Sequence, residues 1–100
     1  MVIIIAGTID VEPQRREEFL AGRMRGIEQT RIEPGCISYA MSADLIEPGR
    51  IWLFEKWATE EDFDRHIDRM RSSPTPPASG VRVVGRDLVR HEVSSEAPFG

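Results

Sequence analysis

Between Glu33 and Trp57 the chain carries a helix stop, a short strand, a polar turn and a second strand, in that order. The stretch begins Glu33-Pro34-Gly35-Cys36-Ile37-Ser38-Tyr39, turns through Glu47-Pro48-Gly49 and ends on Phe54-Glu55-Lys56-Trp57. An apolar strand opens the chain, and helical patterns flank the stretch on both sides. The resulting order, β-α-β-β-α-β, predicts a ferredoxin-like α+β fold, in which an antiparallel sheet carries its helices on one face.

One hundred residues predict one domain over 1–93, with 94–100 as a C-terminal tail. A chain of this length buries only about 60–65% of the surface its unfolded form exposes. A sheet covered by helices on one side leaves the other side bare, and a second copy of the chain would cover it. The first strand agrees: Ile3, Ile5, Gly7 and Ile9 alternate with Ile4, Ala6, Thr8 and Asp10, and both sets are apolar near the start. A homodimer is therefore expected. The net charge of −4 argues against a nucleic-acid partner, which needs a basic stripe to neutralise phosphates. Here the arginines alternate with acids, as in Arg15-Arg16-Glu17-Glu18 and in Arg65, Arg69 and Arg71 among Asp62, Asp64 and Asp68. Cys36 is the only cysteine, so no internal disulfide forms, and two histidines far from it do not make a metal site. No apolar run reaches spanning length, and Val2 to Ala6 is too short for a secretory segment. A cytoplasmic protein with no membrane partner is expected.

Met1 to Val11 reads as the first strand. A helix follows from Pro13 to about Ile32, with Phe19, Leu20, Met24 and Ile27 as its apolar stripe. Pro34-Gly35 stops it. Cys36 to Ser42 and Arg50 to Trp57 form a hairpin. In the second of these strands Ile51, Leu53, Glu55 and Trp57 share the face assigned to the helices, and Trp52, Phe54 and Lys56 share the other. Thr59 caps a second helix whose stripe is Phe63, His66, Ile67 and Met70. Ser72 to Gly80 is a Pro-rich linker, and Val81 to Val93 is the last strand, with a break expected at Gly85.

With these landmarks the chain resembles the antibiotic biosynthesis monooxygenase family of dimeric α+β barrel proteins. The resemblance rests on Ala6-Gly7-Thr8-Ile9, Arg16-Glu17-Glu18-Phe19, Glu33-Pro34-Gly35-Cys36, Tyr39, the Asp44 to Arg50 turn, Phe54-Glu55-Lys56-Trp57 and Phe63 to His66. It implies a homodimer whose sheets face each other as a barrel, with a pocket between helices and sheet in each subunit. The activities it implies include cofactor-free oxygenation of polyketide phenols to quinones, haem degradation, and handling of a small phosphorylated signal-molecule product. Haem-degrading members carry an Asn on strand one where this chain has Gly7, and a haem-ligating His on a helical segment where this chain has Pro74 to Pro77. Trp57 matches their strand-three Trp. Haem degradation is therefore not expected.

Each candidate site residue has a chemical and a structural reading. Trp57 either stacks on a planar ligand or is a core aromatic. His66 either shares the proton of a phenolic substrate or bonds a neighbouring carboxylate within the fold. Tyr39 and Trp52 carry polar tips that can orient a ligand oxygen, or they pack. Phe63 is a further pocket candidate. Gly7 leaves room for a ligand or for close packing. Glu55, an acid among apolar neighbours, needs a partner, and an arginine is the expected one. Cys36 has no adjacent base and reads as a small buried residue. His91 reads as structural or exposed. No Gly-rich phosphate loop follows strand one, so no cofactor is expected.

The reading that follows is a cofactor-independent monooxygenase on a small aromatic phenol, with His66 and Tyr39 as catalytic groups and Trp57, Gly7, Trp52 and Phe63 as pocket residues. Two alternatives stand beside it: a dimeric ligand-binding or stress-associated protein without turnover, and an isomerase on a small phosphorylated metabolite, for which Arg50 and Arg82 are the available cations. A dry aromatic pocket favours the first reading, a pocket filled by its own side chains the second, and an arginine-lined wet pocket the third.

Overall fold

A computed structural model describes residues 1–72 and 80–100. Strand β1 (Val2–Val11) leads through a single 3-10 turn (Pro13–Arg15) into helix α1 (Arg16–Arg31). Strands β2 (Cys36–Ala43) and β3 (Arg50–Trp57) form the hairpin, helix α2 (Glu60–Ser72) follows, and β4 (Val83–Val93) closes the sheet. The strand order is β2-β3-β1-β4, with every neighbouring pair antiparallel. This is the ferredoxin-like α+β plan that the order of elements predicts. Among the described residues no helix is long and apolar enough to cross a membrane.

Strand register decides which residues meet. Ile3, Ile5, Gly7 and Ile9 of β1 lie opposite Trp57, Glu55, Leu53 and Ile51 of β3, and Tyr39 and Met41 of β2 lie opposite Glu55 and Leu53. This face packs against Phe19 and Phe63 of the helices, and Ile3, Ile51 and Trp57 are fully buried in it. The other face carries Ile4, Ala6, Trp52, Phe54 and Val89, paired across β3, β1 and β4. Trp52, Phe54 and Val89 are exposed there in the single chain.

Local departures from the expected elements have local causes. Pro13 lacks a backbone N–H, and the chain first makes a 3-10 turn in which Arg15 N–H donates to the Glu12 carbonyl; the α-helix starts only at Arg16. Met24 and Ile32 are exposed, so the buried stripe of α1 runs through Phe19 and Thr30 with Leu20 and Ile27 beside it. Gly35 holds φ +80, and a Cβ there would collide with the Asp62 carboxylate. Thr59 Oγ1 accepts the Asp62 N–H at 3.1 Å at the start of α2. The last strand begins at Val83 rather than Val81, and its register shifts between Asp10 and Val11, so that Gly85 pairs with Asp10 and Val83 with Val11. Of the expected linker, residues 73–79 lie outside the described residues.

Candidate functional site

β3 presents Ile51, Leu53, Glu55 and Trp57 to the helices, which places one acid in an apolar row. Glu55 is 7% exposed, and its Oε1 accepts the Trp57 indole N–H at 3.1 Å. The same oxygen lies 3.9 Å from Nε2 of His66, which α2 buries to 3% exposure. The other ring nitrogen of His66, Nδ1, meets Glu33 Oε2 at 3.0 Å, in the turn after α1. Arg69, on the same face of α2 as His66, donates to that Glu33 oxygen at 2.6 Å. The imidazole thus sits between two carboxylates. Its ring lies 4.7 Å from Trp57 at an interplanar angle of 30°, and 5.9 Å from Tyr39 edge-on. The arginine expected for Glu55 is not its partner. α2 brings His66 above the strand, and the Trp57 N–H two residues along β3 satisfies the carboxylate locally.

The two carboxylates are tuned in opposite directions. Burial raises the Glu55 carboxyl above its ordinary range, and the Trp57 hydrogen bond and nearby His66 offset this only in part. Burial also pushes Glu33 upward, but hydrogen bonds from Arg69 and His66 outweigh it and hold the group below its ordinary value. Burial raises the Cys36 thiol, and the charges of Glu33 and Glu55 raise it further, which makes it a poor nucleophile.

Tyr39 joins this buried cluster to open space. A cleft of about 510 Å³ lies between α1 and the sheet, lined by Phe19 and Arg23 of the helix and by Ile9, Tyr39, Met41 and Leu53 of the strands. Val81, Arg82, Val83 and Arg86 form its remaining wall. Its size suits a small ligand, for which pockets of about 300–1,000 Å³ are usual. Burial pushes the Tyr39 phenol up and the Glu55 charge adds to this, while the Arg23 guanidinium pulls the other way. A neutral Tyr39 is a hydrogen-bond donor on the cleft wall.

The six predicted site residues therefore separate. Tyr39 lines the cleft. His66 and Trp57 lie behind it in the core; Phe63, whose ring approaches Trp57 to 6.3 Å, instead lines a second cleft of about 490 Å³ with Ile67, Arg71 and Arg90. Trp52 is 48% exposed on the opposite face of the sheet, because alternation along β3 turns it away from Trp57. Its indole N–H donates to Asp44 Oδ1 at 2.6 Å, and Asp44 Oδ2 accepts the Ile46 and Glu47 N–H groups, so Trp52 braces the hairpin turn instead of a ligand. Gly7 faces the backbone of β4: a Cβ there would run into the Asp87 carbonyl. The room it leaves is filled by a strand. Arg50 pairs with Asp10 at 3.6 Å, whereas Arg82 does line the cleft. Of the lining residues the sequence offers only Tyr39 and Arg82 as site candidates; Phe19 is read there as a stripe residue of the helix, and Arg23, Met41 and Arg86 carry no functional reading. Arg23 was detectable, since it lies one turn from Phe19 and one from Ile27 on the buried side of α1.

The ferredoxin-like antiparallel sheet with its helices on one face is the architecture of a known class. The chain belongs to the antibiotic biosynthesis monooxygenase family, whose model matches residues 1–70. Among individual proteins, it is 42% identical over 65 residues to an uncharacterised protein of Synechocystis; this covers 65% of the chain but only 44% of that relative. It is 29% identical over 65 residues to YcnE of Bacillus subtilis, covering 65% and 68% of the two chains. The crystal structure of a conserved protein from Methanosarcina mazei matches with a TM-score of 0.75 at 26% identity, over 91% of each chain. The chain thus spans less than half the length of its Synechocystis relative.

Proposed function

We propose that the protein is a cofactor-independent monooxygenase that converts a small aromatic phenol to a quinone in the cleft beneath α1. The observation that carries this reading is that Tyr39 and Arg23 share the wall of a cleft whose other lining residues, Arg82 and Arg86 apart, are aromatic or aliphatic. A planar ring fits against Phe19, Met41 and Leu53. Its hydroxyl meets the Tyr39 O–H and the Arg23 guanidinium, both of which favour the phenolate. The proton leaves through the open side of the cleft. The phenolate is then electron-rich enough to reduce oxygen itself. One oxygen atom enters the ring at a C–H position, the other leaves as water with the two hydrogens lost from the phenol, and no external electron source is required. His66 acts in this scheme behind Tyr39, as a positioning residue whose ring edge supports the phenol.

Arg82 lines the cleft, as the phosphorylated-metabolite alternative requires, but Phe19, Met41 and Leu53 support a flat apolar substrate body over a sugar-like one, and the open cleft disfavours a pocket closed by its own side chains. We further propose that two copies pair through the helix-free faces of their sheets, covering Phe54 and Val89. The test is aerobic oxygen uptake by the purified protein against hydroxylated naphthalenes and anthrones. Oxygen consumption matched by quinone formation supports the reading. Binding without uptake would replace it with a ligand-binding module.

A further inference from the structure

The cleft contains a charge pattern that phenol oxidation alone does not explain. Among the described residues, three of the ten that line it are arginines and none is an acid, although the whole chain has a net charge of −4. Arg23 shares the cleft wall with Tyr39 and its charge acts on that phenol. Arg82 and Arg86 are exposed, and among the described residues neither has a carboxylate partner. Arg69 and Arg90 differ, being paired with Glu33 and Glu60 at 2.6 and 2.9 Å. Register keeps the nearest acids away. Arg86 lies opposite Ile9 on the cleft face, whereas Asp87 lies opposite Thr8 on the other face. Both arginines also fall beyond residues 1–70, so they belong to the part of this chain that the family model does not match.

We infer that the substrate carries a carboxylate on its aromatic body, held by Arg82 and Arg86 at the open side of the cleft. Guanidinium groups suit this role because each offers a planar fork of donors that matches the two oxygens of a carboxylate. Apolar walls on one side concentrate the field of the two cations toward an incoming anion. Ile9, Phe19, Met41 and Leu53 then select an acid with a flat apolar body over an inorganic anion or a sugar phosphate. The inference rests on the reading of this cleft as the phenol site and narrows its substrate to a hydroxyaryl carboxylic acid.

The test is equilibrium binding by calorimetry of 6-hydroxy-2-naphthoate, its methyl ester, 2-naphthol and 2-naphthyl phosphate. These are run with the full chain and with the double variant Arg82→Gln/Arg86→Gln. Both side chains are exposed, so the substitutions spare the core, and circular dichroism checks the fold. The acid is expected to bind at least about tenfold more tightly than the ester at low salt, with the preference shrinking when salt shortens the Debye length to roughly 3 Å. The double variant should bind acid and ester alike and leave the ester affinity unchanged. Equal binding of acid, ester and 2-naphthol to the unaltered protein would overturn the carboxylate site while leaving the phenol cleft standing. Tighter binding of the phosphate than of the acid would overturn the carboxylate in favour of a phosphate ester. A preference that survives in the double variant would remove these arginines from recognition, and no binding of any of the four would overturn both readings together.

Discussion

Trp57 donates its indole N–H to Glu55 two residues back along the same strand, and both side chains are buried between the sheet and α2. The pair fixes the identity of each residue. A buried carboxylate needs a donor, and a buried indole N–H needs an acceptor. Trp57→Phe keeps most of the ring but strands the Glu55 oxygen, and should cost about 1–3 kcal/mol. Trp57→Ala adds a cavity and should cost about 3–5 kcal/mol. Because Trp57 is behind the cleft wall and not on it, ligand affinity in Trp57→Phe should stay within about threefold of the unaltered protein, roughly the effect of a distant uncoupled site. Urea denaturation beside a binding titration separates the two effects. Lost affinity with unchanged stability would place Trp57 on the ligand instead.

The pH dependence of stability should carry two opposed contributions. Glu55 has a raised folded value, so the stability it contributes is present below the ordinary carboxylate range and is lost as pH rises through that raised value. Glu33 has a depressed value, so its contribution is present above the ordinary range and is lost as pH falls through the depressed value. Glu55→Gln retains an acceptor for the Trp57 N–H and removes the first dependence, so it should gain on the unaltered protein as pH rises toward neutrality. Glu33→Gln removes the second, and its deficit should be largest at neutral pH and shrink in acid. Thermal unfolding of the three proteins from acid to neutral pH reads both signs, and parallel curves for all three would show that neither carboxylate governs the profile.

The sequence made the order of elements legible because each carries its own punctuation: Pro34-Gly35 ends α1, Thr59 opens α2, and Pro48-Gly49 turns the hairpin. Alternation along β3 also placed Trp52 and Trp57 on opposite faces. It did not reveal which apolar side chains surround space and which are enclosed by each other. That depends on how the helices seat: α2 brings its own Phe63 and His66 onto Trp57, while the cleft opens where Phe19 and Arg23 of α1 meet Tyr39 and Met41. Arg86 was illegible for a different reason. Its position opposite Ile9 is set by the long-range register of the β1–β4 pairing; Gly85 marks the irregularity beside Asp10, but no local pattern says which residue of β1 faces Arg86.

Gly7 provides a direct test of that strand pairing. It has φ +150, and a Cβ would meet the backbone of Asp87. Backbone atoms cannot turn aside as a flexible side chain can. Gly7→Ala should therefore destabilise the protein by about 1–3 kcal/mol or more, with the loss localised to β1 and β4. Hydrogen exchange would show faster exchange in those two strands before any change in the β2–β3 hairpin. If Gly7→Ala were as stable as the unaltered protein and only bound ligand less well, the residue would be making room for substrate.

The division of labour between Tyr39 and His66 makes the last prediction. Tyr39 lines the cleft, while His66 touches Tyr39 edge-on and is held by Glu33 on the far side. Tyr39→Phe keeps the ring that packs against His66 and removes only the hydroxyl that the proposed mechanism uses as a donor. It should lower the rate of quinone formation by about ten- to a hundredfold, in the range of one lost catalytic hydrogen bond. Binding of a neutral aromatic should be unaffected. His66→Phe should destabilise the fold, because it leaves Glu33 and Glu55 facing an apolar ring, and at a temperature where the protein stays folded it should lower the rate less than Tyr39→Phe does. Single-turnover oxygen consumption by the two variants at matched folded fractions decides the roles. A larger chemical defect in His66→Phe would make the histidine, reached through a shift of Tyr39, the group that takes the phenolic proton.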